Sequence, residues 1–347
     1  MSFIIGWILR FGIIELFSIF FVMVNLLTFC LYVIDKKRAE NNKRRIRERT
    51  LIFFTLVCGG IGAALCMRLA RHKTQKKKFK LAAVVGMVIA LIPVIHIAHG
   101  LTLGRIIHYV EIEFRSENWP AELDGYRIAF MTDMHVITDE GMRKVAAELN
   151  ERNIDLLLLG GDFSMTDAHY RGTVREIAQI SATDGIFGVE GNHDDYRRLF
   201  SAKKQYGITP LDNSGTHIRR GFYLAGVRDM WNREPNIAEA VAGANADDFI
   251  LLVSHNPDVS MAQPTGGVDL IFAGHTHGGQ ITFFGFPMYL LRRHITHYGT
   301  HFAHGFAYSA DGVPVFTSRG IGVYYTIPRI FARPEVVIFT MYNAPQS

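Results

Sequence analysis

Three apolar runs crowd the first 104 residues and limit what that part of the chain can fold into. Residues 12–34 are interrupted by Glu15 and Asn25, and 23 residues at about 1.5 Å each are enough to cross a hydrocarbon core of about 30 Å. The run reads as a transmembrane helix. Glu15 in its first turn and the lack of a small-residue cleavage site argue against a removable signal peptide. Residues 81–103 read as another span, with Pro93 able to kink it and His96 and His99 inside it. The middle run, 51–67, is shorter and holds Gly59, Gly60 and Gly62. It either spans or dips in and returns as a re-entrant hairpin, so the module has two or three spans.

Charge is divided as sharply as hydropathy. Residues 1–104 hold 16 Lys and Arg against 4 Asp and Glu, a balance of +12, while residues 105–347 hold 21 against 28, a balance of −7. Eight of the basic residues lie in 36–49 and seven in 68–80, where they suit an anionic leaflet. If all three runs span, the basic loops fall on opposite faces and the positive-inside rule is indecisive. If the middle run returns, both loops lie inside and residues 105–347 outside. The acidic C-terminal part lacks the basic face that phosphate-backbone binding needs, so no nucleic-acid partner is expected. Cys30, Cys58 and Cys66 all lie in the front segment, which excludes disulfides and thiolate zinc sites from the rest.

The front segment contains Asp35-Lys36, Ala39, Arg45, Glu48-Arg49-Thr50-Leu51, Gly59-Gly60, Gly62-Ala63, Met67, Arg71-His72-Lys73-Thr74 and Lys77. In these residues it resembles a family of small bacterial membrane domains of unknown function. That resemblance implies a membrane module over about residues 11–80 and no chemistry.

From Arg127 the texture changes to short apolar strands punctuated by Gly, Asp and His. Residues 128–131 lead to Asp133 and His135; Met142, Val145, Ala146 and Leu149 then mark one face of a helix. Residues 154–159 lead to Gly161-Asp162, and the run from Gly185 leads to Gly191-Asn192-His193-Asp194. Further strands are read at 222–227, 249–253, 268–273, 313–317 and 336–341. Strands alternating with helices indicate an α/β layered domain over 105–347. The polar residues at the strand ends form a set: Asp133, His135, Asp162, Asn192, His255, His275 and His277. Imidazoles and carboxylates without thiolates suit Mn, Fe or Zn, and seven ligands suit two metals sharing one carboxylate. Each short motif is common by chance; seven donors in this order, each at the carboxyl end of a strand, are not.

Over residues 120–345 the chain resembles the calcineurin-like metallophosphoesterase superfamily. The matching motifs are Asp133-Met134-His135, Gly161-Asp162, Gly191-Asn192-His193-Asp194, His255 and Gly274-His275-Thr276-His277. The resemblance implies a layered β-sandwich flanked by helices. It also implies that Asp133, His135 and His277 hold one metal, that Asn192, His255 and His275 hold the other, and that Asp162 bridges. His193 would be the general acid, oriented by Asp194. Gly278-Gly279-Gln280, Ser254-His255-Asn256-Pro257-Asp258 and Ser318-Arg319-Gly320-Ile321-Gly322 are similar to a membrane-associated branch that resembles UDP-2,3-diacylglucosamine hydrolases of lipid A synthesis. Met165 stands where purple acid phosphatases place a metal-binding Tyr, so a redox-stable pair is expected, Mn²⁺ first, with Zn²⁺ or Fe²⁺ as alternatives.

His294, His297, His301 and His304 form a second cluster, interrupted by Gly299, that reads as a variable loop overhanging the site, with His304 a substrate-contact candidate. Arg319 either pairs with substrate phosphate or serves a buried salt bridge. The whole reads as a phosphodiesterase or pyrophosphatase integral to a bacterial membrane. About 24 residues separate the last span from the first catalytic strand, and such tethering concentrates an amphiphilic, lipid-linked substrate near the site. The competing readings are a non-catalytic metal-dependent scaffold and a phosphodiesterase of soluble nucleotides.

Overall fold

A broken helix organises the N-terminal unit. The computed structural model describes residues 13–344 except 166, 196, 199, 200, 202–204, 294, 325 and 326. It divides into two compact units, Met1–Ala98 and His99–Ser347. The first contains α1 (Ile13–Glu40), α2 (Glu48–Phe54) and α3 (Gly60–Ala70), and most of α4 (Lys77–Leu101). Between α2 and α3, Val57 (ψ 63°) and Cys58 (φ 61°) leave helical geometry, which frees backbone groups that need partners in an apolar setting. Asn25 supplies two: its amide donates to Cys58 O at 2.9 Å, and its oxygen accepts from Gly62 N at 2.9 Å. Thr28 donates to Phe54 O, and the Tyr32 and Thr55 hydroxyls meet at 2.8 Å.

These contacts also give direction. Asp35 accepts from Ile46 N and Thr28 reaches Phe54, so α2 climbs antiparallel to α1. Asn25 meets Gly62 and Asp35 meets His72 at 2.9 Å and Lys73 at 3.2 Å, so α3 runs back beside α1 to the level where α2 began. By length and composition three helical stretches could cross a membrane; the middle one is broken at Val57 and Cys58 and folds back on itself as a helical hairpin. Both basic loops therefore lie at one end, tied by the fully buried Asp35 to Arg45, His72 and Lys73. Glu48 adds ion pairs to Lys73, Lys76 and Lys78. Glycines permit the tip, Gly62 among those read from the sequence and Gly86 from α4: a Cβ on Gly62 would stand 2.0 Å from Asn25 O, and one on Gly86 2.1 Å from Thr55 O.

The second unit is a sandwich of two six-stranded sheets. The first has the order β1 (His108–Ser116), β12 (Glu335–Asn343), β2 (Tyr126–Met131), β3 (Leu156–Leu159), β4 (Ile186–Gly188) and β5 (Ile208–Pro210). The second runs β10 (Gly305–Tyr308), β11 (Pro314–Thr317), β9 (Leu270–Ala273), β8 (Phe249–Val253), β7 (Phe222–Gly226) and β6 (Ser214–Arg219). Strands β2 to β5 are parallel, as are β7, β8, β9 and β11. The continuous apolar runs follow from burial on both faces. Ile128, Phe130, Leu156 and Leu158 fill the layer between the sheets with Leu251 and Phe272. Ala129, Met131, Leu157 and Leu159 point the other way, against α5 (Asp139–Asn150) and α6 (Asp167–Ile177). Ile250 and Leu252 pack outward against α7 (Ile237–Ala240) and α8 (Val259–Ala262). The result is the layered α/β sandwich the sequence indicated. Strands β5, β6 and β10, which it did not, are short or half-exposed and all three are sheet edges.

Candidate metal centre

Parallel sheets present their carboxyl ends together, and ligands bind there in open α/β sheets. The loops after β2, β3, β4, β8 and β9 bring Asp133, His135, Asp162, Asn192, His255, His275 and His277 into one cluster. Five of these, Asp133, His135, Asp162, His275 and His277, have positive φ between 35° and 69°. Non-glycine residues avoid this conformation, and its concentration here is strain held by the surrounding fold so that side chains turn sharply inward. Gly191 answers a different need: a Cβ there would lie 2.2 Å from Asp162 Oδ1.

The donor atoms fall into overlapping sets. Asp133, His135 and His277 bring one ligand atom each within 4.8 Å of one another, as do Asp133, Asp162 and His255. The Nε2 atoms of His135 and His277 face each other at 3.0 Å. Asp162 Oδ2 is 3.3 Å from both His135 Nε2 and His255 Nε2, between the sets, while its Oδ1 accepts from His193 N. On the far side, Asn192 Oδ1 is 3.1 Å from His255 Nε2 and 2.9 Å from His275 Nδ1. Backbone carbonyls choose the tautomers. His255 Nδ1 donates to Gly160 O at 2.7 Å, presenting Nε2; His275 Nε2 donates to Ile295 O at 2.8 Å, presenting Nδ1.

The cluster fits cations. Asp133 Oδ1 is buried without a hydrogen-bond donor, an expensive state for a carboxylate unless a positive charge meets it. Burial opposes charge on Asp133 and Asp162, yet His277 beside the first and His255 beside the second hold both carboxyls below the usual range. Burial and the neighbouring His277 push His135 down to about 3, and burial with His255 pushes His275 down to about 4, leaving both as neutral donors. Burial and the adjacent Asp162 push Asp194 up to about 8, a repulsion that a cation on Asp162 would relieve.

Asp194 differs from its expected place against the His193 ring. Its carboxylate accepts from the backbone N–H groups of Gly191, Asp162 and Phe163 at 2.7 to 2.9 Å. It clamps two ligand loops together and positions His193 through the backbone. The His193 ring is exposed, with centroids 5.4 Å from His135 and 5.3 Å from Tyr324, at the rim of a cavity of about 800 Å³. Trp231, Ile281, Met288, Ile295, Tyr324 and Ile327 form the apolar wall of that cavity.

Arg319 is held by Glu335, through Nη1 at 2.5 Å and its own backbone N–H at 2.9 Å, the salt-bridge alternative of the two read from the sequence. His304 is exposed, His301 Nε2 donates to Tyr308 O, and His297 sits 3.2 Å from Asp258. His294 lies outside the described residues. Several contributors carried no sequence signal. Trp231 stacks edge-on against His275 at 4.7 Å, Asn232 donates to Asn192 O at 2.7 Å, and the fully buried Arg329 donates to His277 O. Each comes from a loop without periodicity; Tyr324 lies just past the Gly320-Ile321-Gly322 motif.

The fold and donor set resemble those of a metallophosphoesterase domain. Residues 126–279 match the calcineurin-like phosphoesterase family, which is dinuclear-metal dependent, and residues 25–79 match a protein family of unknown function, DUF1294. An uncharacterized metallophosphoesterase of Helicobacter pylori is 28% identical over 61% of this chain and 58% of its own length, so the match spans little more than half of that relative. A zebrafish (Danio rerio) transmembrane protein with metallophosphoesterase domain is 24% identical over 85% of this chain and 71% of its own length. The phosphodiesterase YaeI of Escherichia coli is 27% identical over 62% of this chain and 82% of its own length.

Proposed function

We propose that this protein is a membrane-tethered phosphoesterase that uses two divalent cations, Mn²⁺ first, to hydrolyse a phosphodiester or pyrophosphate bond in a lipid-linked substrate. The observation that carries the reading is the placement of Asp162 Oδ2 between two imidazole-rich donor sets at the end of a cavity with an apolar wall. Asp133, His135 and His277 would hold one ion, Asn192, His255 and His275 the other, with Asp162 shared. Two bound cations supply Lewis acidity, acidifying water and neutralising phosphate oxygens. The chain's own residues do the rest. Gly160 O and Ile295 O keep the imidazoles in their ligating tautomers, and Asp194 clamps the loops. His193, at the rim, protonates the leaving oxygen. The intact donor set together with His193 favours this enzyme over a non-catalytic scaffold.

The apolar wall supports an acylated or otherwise lipid-bearing substrate over a soluble nucleotide. Full-length protein in lipid is expected to cleave UDP-2,3-diacylglucosamine or another lipid diphosphate far faster than its deacylated analogue. Equal rates would sink the lipid reading and leave the phosphoesterase standing.

Orientation bears on the head group. Both basic loops lie at one end of the helical unit, which the positive-inside rule turns to the cytoplasmic face, and we propose that residues 105–347 lie on the outer face of a bacterial membrane. Single cysteines at Gln75 and Glu117, in a background without the native three, test this. Glu117 should react with an impermeant maleimide in intact cells, and Gln75 only after permeabilisation. The reverse pattern would place the site inside, where a substrate assembled from cytosolic nucleotides, such as UDP-diacylglucosamine, could reach it.

A further inference from the structure

We propose that residues 281–291, together with the chain that leaves α4, form a surface that seats on the lipid bilayer at the mouth of the cavity. The proposal rests on reading the helical unit as a membrane anchor, and is independent of the substrate's head group. Ile281, Phe283, Phe284, Phe286, Met288 and Leu291 are each between 40% and 54% exposed, far more apolar surface in one loop than a soluble face tolerates without an occupant. Leu101, Leu103 and Ile106 are exposed to the same degree.

The two segments are one packed piece. Thr282 N donates to Ile330 O at 2.9 Å, and Phe284 lies 5.3 Å from the ring of Phe331. Phe331 in turn stacks on His99 at 4.3 Å and donates its N–H to His99 Nδ1 at 3.1 Å. Gly104 presses on Arg329 O so closely that a Cβ would stand 1.9 Å away. The chain from His99 to Gly104 therefore abuts the phenylalanine loop. Phe284 and Phe331 have φ of 49° and 52°, a conformation bulky residues avoid, so the fold spends strain to set these rings.

Charge chooses the occupant. Although residues 105–347 balance at −7, segments 99–110, 275–310 and 319–334 contain no Asp or Glu, while Arg105 and Arg293 are exposed there. An apolar loop flanked by arginine and free of acids suits an anionic lipid surface. Ile281 and Met288 also line the cavity, so the seated loop would open the site towards the bilayer.

The test uses full-length protein in vesicles of phosphatidylethanolamine and phosphatidylglycerol. A fluorophore on Phe284→Cys, with the three native cysteines replaced, should show blue-shifted emission that lipid-borne nitroxide quenches and iodide does not. The same label on Asp247→Cys, an exposed residue just ahead of the opposite, amino-terminal end of β8, should behave the other way. Unchanged hydrolysis of bis(p-nitrophenyl) phosphate confirms folding. If the cysteine-free variant fails, unmodified protein with a photoactivatable phospholipid should crosslink within residues 281–291. Quenching by iodide alone, or lipid crosslinks confined to residues outside 281–291, would overturn the proposal. Lipid quenching without preference for acylated substrate would sink only the substrate reading.

Discussion

Substituting asparagine for Asp162 is expected to remove metal and turnover together. The charge on its Oδ2 lies 3.3 Å from an imidazole of each donor set, so the neutral amide weakens both cation positions at once. Cation catalysis is worth several kcal/mol of transition-state stabilisation, so turnover should fall on the order of 10³-fold or more on any phosphodiester. Metal content by mass spectrometry should drop, and the rise in Tm that added Mn²⁺ gives the wild type should vanish, because only a ligand bound by the native state stabilises it. The substitution keeps the size of the side chain, and its Oδ1 can still accept from His193 N. Wild-type metal content in this variant would show that the ions do not share Asp162.

His193→Asn separates chemistry from metal binding. Its ring stands over the cluster at the rim, and only its backbone N–H touches Asp162. Metal content and the Mn²⁺-induced Tm shift should therefore be retained. On a substrate with a poor leaving group, turnover should fall by ~10²- to 10⁴-fold, the usual worth of a general acid; on a p-nitrophenyl ester, whose leaving group needs no proton, the loss should be far smaller. Full rate with the poor leaving group would remove His193 from the acid role, and equal losses on both substrates would make it a binding residue.

The donor set was legible because chemistry and topology coincide in one dimension. Asp133, Asp162, Asn192, His255 and His275 each follow an apolar run that becomes a buried parallel strand, and strand ends converge by the geometry of the sheet. Asp194 was not read correctly, because adjacency to His193 says nothing about where a carboxylate in a tight turn points; three backbone N–H groups captured it. Tyr324, Trp231 and Arg329 reach the site from irregular loops that leave no periodic trace. Residues 51–67 read from the sequence either as a span or as a re-entrant hairpin, and the break at Val57 and Cys58 was in neither reading. Asn25 and Thr28, the groups that complete its broken backbone, sit some thirty residues earlier in α1, and only the fold brings them to the break.

The hydrogen bond from His275 to the carbonyl of Ile295 assigns part of the centre to spacing instead of to side-chain identity. A peptide oxygen is present whatever residue occupies position 295, so the loop that walls the cavity is free to vary in sequence while the ligand keeps its tautomer. Its length is not free in the same way. Asp258 grips this stretch through the Thr296 hydroxyl and the His297 N–H, so a residue gained or lost just before that anchor would swing a different peptide towards the imidazole. Lineages of this chain could thus exchange one substrate for another by substitution along the wall, while insertions there would be filtered by the metal centre itself.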